Sequence, residues 1–91
     1  MVKNFRYVEP GRIALSGAPQ TAADAQWLAD QQVGAVVSLH PVAPEAGEAL
    51  EACGLQRLDF PVTDYSNPLP DDFGRLVEFV QQHRHTGVLI H

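Results

Sequence analysis

The stretch Gly34-Ala35-Val36-Val37-Ser38-Leu39-His40 decides the fold class. An apolar run from Ala35 to Leu39, preceded by glycine and closed by a polar residue, is the pattern of a strand buried on both faces in a parallel sheet. Helix-like segments flank it. Upstream, Thr21 to Gln32 reads as a helix: Thr21 caps it, Asp24 sits at the capping-box position near the positive end of the dipole, and Gly34 is the stop. Ala25, Leu28 and Ala29 form its apolar stripe, widened by Trp27, which reads as core. Downstream, Pro44 to Cys53 reads as a second helix, with Pro44 in the first turn, Ala46, Leu50 and Cys53 on one face, and Gly54 at the end.

Further outward the alternation continues. Leu55 to Val62 places Leu58, Phe60 and Val62 on one side of a strand. Thr63 to Leu69 is a polar, proline-bounded loop. Pro70 to His83 spaces Phe73, Leu76, Val77 and Val80 as one helical face, with Asp71 and Asp72 in the first turn. Gly87 closes that helix, and Val88 to His91 starts another strand. At the other end, Phe5 to Val8 and Ile13 to Ser16 read as a hairpin at a sheet edge, joined by the turn residues Glu9-Pro10-Gly11-Arg12. The order β-β-α-β-α-β-α-β predicts an α/β domain with a parallel-type central sheet flanked by helices. Ligands of such sheets bind beyond the carboxyl ends of the strands, where His40-Pro41, Asp64 and His91 collect.

Composition bounds the function. The chain has 91 residues, 45% hydrophobic, with six Lys plus Arg against eleven Asp plus Glu and a net charge of −5. That is globular material for one domain. The acidic balance argues against nucleic acid, whose phosphates call for a surplus of Lys and Arg. No run approaches the ~20 apolar residues of a membrane span. The single cysteine, Cys53, excludes an intrachain disulfide and fits a reducing compartment. With no apolar signal core near the N-terminus, the expectation is a cytoplasmic protein.

Several residues carry two readings. Asp64 is either a turn residue before Ser66-Asn67-Pro68 or a carboxyl placed for proton transfer. Tyr65 and Asn67 either touch a substrate or shape the loop, and His40 either lines a pocket or faces solvent. Asp59 falls inside a strand. Cys53 reads as a structural thiol on an apolar helix face. His83 and His85 read as surface residues complementing a helix C-terminus, with no acidic or cysteine partner at metal-ligand spacing.

Four segments together resemble one family: Asn4-Phe5-Arg6-Tyr7-Val8-Glu9-Pro10-Gly11 with Ser16-Gly17-Ala18-Pro19-Gln20, Val36-Val37-Ser38-Leu39-His40, Phe60-Pro61-Val62-Thr63-Asp64, and Val88-Leu89-Ile90-His91. In this order they are similar to the small, compact cysteine-dependent phosphatases of the protein-tyrosine and dual-specificity superfamily. The resemblance implies hydrolysis of phosphotyrosine, and of phosphoserine or phosphothreonine, through a cysteinyl-phosphate and without metal or other cofactor. It implies Asp64 as general acid and then base, Tyr65, Asn67 and His40 as candidates for substrate contact, and His91 as the loop-supporting residue before the nucleophile. In the family a Cys follows that His at once, and an Arg closes the phosphate-binding loop. Residues 1–91 then correspond to the N-terminal part of a single phosphatase-like domain. The expectation is that the C-terminal remainder is supplied in cis or as a second chain, and that this part alone is inactive and poorly folded or associating. The implied partner is a phosphorylated protein or small phosphoester. Two alternatives stand beside this: an inositol polyphosphate phosphatase of the same superfamily, and a non-catalytic pseudophosphatase acting as an interaction domain.

Overall fold

Ala35, Val36 and Val37 are fully buried and Ser38 is 3% exposed, so the run from Ala35 to Ser38 is covered on both faces. The computed structural model describes residues 2–60 and 73–91. Among them, β1 (Arg6–Glu9), β2 (Ile13–Leu15), β3 (Ala35–Ser38), β4 (Gln56–Asp59) and β5 (Val88–Ile90) form one sheet in the order β1-β2-β5-β3-β4. β1 lies antiparallel to β2 at the edge, and β2, β5, β3 and β4 run parallel. The edge hairpin is therefore where the turn chemistry puts it, closed by the Arg12 N–H donating to the Glu9 carbonyl at 2.9 Å. Glu9 also pairs with Arg84, which ties the hairpin to the turn before β5.

Strand side chains alternate between faces, and this sorts the core into two layers. On one face Ala14, Val36 and Leu89 pack with Ala25, Leu28 and Leu50 from α1 (Ala22–Asp30) and α2 (Pro44–Ala52). On the other, Ala35, Val37, Phe60 and Val88 pack with Leu76, Phe79 and Val80 of α3 (Phe73–His83). Val36, Leu89, Leu28 and Leu50 are each 0% exposed, and burying such a side chain stabilises the fold by ~1.5–3 kcal/mol. Trp27 is half-buried against the first layer, edge-to-face on Phe5 with centroids 5.0 Å apart.

Three details differ from the sequence reading. α1 ends at Asp30, and the left-handed residue after it is Gln32, at φ 66°, two positions before Gly34. Gly34 has another cause: a Cβ there would lie 2.6 Å from Thr86 Oγ1, and its N–H donates to the Gly87 carbonyl at 2.9 Å. The loops entering β3 and β5 thus touch backbone to backbone. In α3, Val77 is 41% exposed, while Phe79 turns toward the sheet. A helix offers both positions near one stripe, and the location of the sheet selects between them. The cap of α1 matches expectation. Thr21 Oγ1 accepts from the Asp24 N–H at 3.2 Å, and the Gln20 N–H donates to Asp24 Oδ2 at 2.9 Å, which holds that carboxyl below its ordinary range.

Candidate active site

The carboxyl ends of β3, β4 and β5 bring together residues far apart in sequence. The β3–β5 ladder runs one step past Ile90: the His91 N–H donates to the Val37 carbonyl at 3.1 Å, and the Leu39 N–H donates to the His91 carbonyl at 2.9 Å. Residue 91 therefore shares the face of Leu89, as Ser38 shares that of Val36. Ser38 Oγ and His91 Nε2 meet at 2.7 Å, with Ser38 3% and His91 8% exposed. Burial lowers the His91 pKa from its ordinary value, and the nearby charges of His40 and Arg57 push the same way, against a smaller opposing effect of Asp59. Both effects favour the neutral ring over the charged one. Its Nδ1 is buried without a hydrogen-bond partner among the described residues.

Beside this pair lies an open cleft of about 300 Å³, lined by Ser38, His40, Pro41, Val42, Arg57 and Asp59. The Arg57 guanidinium lies across α2, reaching Glu51 Oε1 at 3.3 Å and Asp59 Oδ1 at 3.2 Å. Both carboxylates are largely exposed, so each pair contributes ~0–1 kcal/mol, and the packing of Arg57 over Gly47 does more to hold it. At the carboxyl end of β2 a second, larger groove of about 620 Å³ is bounded by Asn4, Phe5, Arg6, Leu15, Ser16 and Gly17.

Of the residues singled out from sequence, His40 and His91 come to this end of the sheet. Asp64, Tyr65 and Asn67 lie outside the described residues, as do Asp71 and Asp72. Cys53 follows α2 and precedes β4, which puts it at the amino end of the sheet, opposite the site, with its Sγ 3.8 Å from Gln26 Oε1. His83 and His85 precede β5 and sit at that same opposite end. His83 Nδ1 donates to the Phe79 carbonyl at 2.9 Å, satisfying a carbonyl of the last helical turn. Among the described residues no group of three His, Cys, Asp or Glu converges as a metal site, and no helix is long and apolar enough to cross a membrane. Sequence reasoning did not single out Ser38, Arg57 or Asp59 as site residues. The available signal was Ser38 itself, a hydroxyl within a run buried on both sides.

The family described as Swiss Army Knife protein, DSP-PTPase phosphatase domain, matches residues 2–91. The chain belongs to this family. The fold agrees with solved structures of the same superfamily. A DUF442 protein of Shewanella putrefaciens CN-32, described as a candidate phosphatase, superposes with a TM-score of 0.80 at 24% identity, over 99% of this chain and 59% of that one. Tk-PTP in its active form gives a TM-score of 0.76 at 22% identity, over 100% of this chain and 63% of that one. A variant of P. aeruginosa TpbA in complex with pTyr gives 0.64 at 21% identity, over 96% and 57%. At these identities the likeness is one of fold. The chain spans less than two thirds of the length of each of these phosphatase structures.

Proposed function

We propose that the protein carrying this chain hydrolyses phosphate monoesters, phosphotyrosine first and phosphoserine or phosphothreonine with it, by way of a cysteinyl-phosphate. The observation that supports this best is a buried His91 at the carboxyl end of β5, the strand between β2 and β3, in a chain that matches the phosphatase family through that same residue. The family's nucleophilic thiolate follows the position matched by His91. Its sulfur attacks phosphorus as the ester P–O bond breaks, and the leaving oxygen takes a proton from Asp64. Asp64, now a carboxylate, accepts a proton from water as the water oxygen attacks phosphorus and the S–P bond breaks. His40, Tyr65 and Asn67 contact the substrate in this reading, and His91 supports the loop. The bound complex of TpbA with pTyr supports the choice of substrate class. The free thiol of Cys53 supports a reducing, cytoplasmic setting.

The test is steady-state hydrolysis of a phosphotyrosine peptide by the full-length protein and its Asp64→Asn variant. The variant should lose a factor of ~10²–10⁴ in kcat/KM. The fall in rate at alkaline pH should also disappear, because the general acid must be protonated to act. Equal rates for the two proteins would remove Asp64 from the mechanism. A wild type that cleaves inositol polyphosphates in place of the peptide would move the substrate class, and one that cleaves neither would make the protein an interaction domain.

A further inference from the structure

We draw no further inference here: the strongest candidate, the groove of about 620 Å³ at the carboxyl end of β2 bounded by Asn4, Phe5, Arg6, Leu15, Ser16 and Gly17, carries none because nothing in the structure shows what covers it.

Discussion

Replacing Gly87 with alanine should be among the most damaging single-methyl additions to this fold, and its cost separates into two parts. Gly87 sits at φ 83° and ψ 124°, where an L side chain costs ~1–3 kcal/mol. A Cβ there would also lie 2.9 Å from the carbonyl oxygen of Gln32. That oxygen cannot retreat easily. Gln32 is itself at φ 66°, and the Gly87 carbonyl accepts from the N–H groups of Gly34 at 2.9 Å and Ala35 at 3.1 Å. Overpacking against a fixed backbone adds ~1–3 kcal/mol. The sum is about 2–6 kcal/mol, a large share of the ~5–15 kcal/mol that keeps a domain folded. Gly54→Ala is the control. Gly54 has φ 84°, but a Cβ on it meets nothing within 4 Å, so it bears the conformational cost alone. Equilibrium urea unfolding of the full-length protein and both variants measures the difference. With slopes of ~1–3 kcal/mol per molar urea, the expected gap of about 1–3 kcal/mol separates the two midpoints by ~0.5–2 M. Equal midpoints, or a milder Gly87→Ala, would refute the claim that the loops entering β3 and β5 touch backbone to backbone.

Leu89→Ala removes a fully buried side chain from the middle of the sheet and should cost ~2–5 kcal/mol in the same assay. Thr21→Ala deletes the oxygen that accepts from the Asp24 N–H and should cost ~0.5–2 kcal/mol, with Thr21→Ser restoring most of it. The His91 pKa is lowered from 6.5 by burial first, so the unfolded chain takes up a proton at a higher pH than the folded one. Its contribution to stability is therefore complete above about pH 6.5 and is lost as pH falls through the folded value. Urea midpoints recorded between pH 7.5 and 5 should decline, and His91→Gln should flatten that decline; an unaltered slope would show that His91 titrates as an exposed residue.

Local chemistry was legible where its cause is local. The Thr21 cap, the Pro44 helix start, the Gly54 stop and the turn at Glu9–Arg12 depend on hydrogen bonds within a few residues, and they stand where the sequence indicates. Readings that depended on distant neighbours fared differently. Gly34 read as a helix stop, yet its smallness answers to Thr86, a residue that no window around position 34 contains. Val77 read as part of the apolar face of the last helix, yet it is exposed, and Phe79 packs against the sheet beneath α3. Arg57 and Asp59 read as the polar side of a strand, and they line the cleft next to His40 because β4 lies beside β3.

The sequence by itself determined which segments are strands and helices, that the sheet is mainly parallel with a hairpin at its edge, and that polar residues collect at the strand ends. Periodicity, caps and turns carry that information along the chain. The tertiary structure alone decided that β5, which follows β4 in sequence, lies between β2 and β3, and hence that Ser38 faces His91. The ladder that joins parallel strands is made of backbone groups common to nearly every residue, so it does not record its partner in any side chain. Crossover helices and the two packed layers select the neighbour, and the Ser38–His91 contact exists only once they have done so.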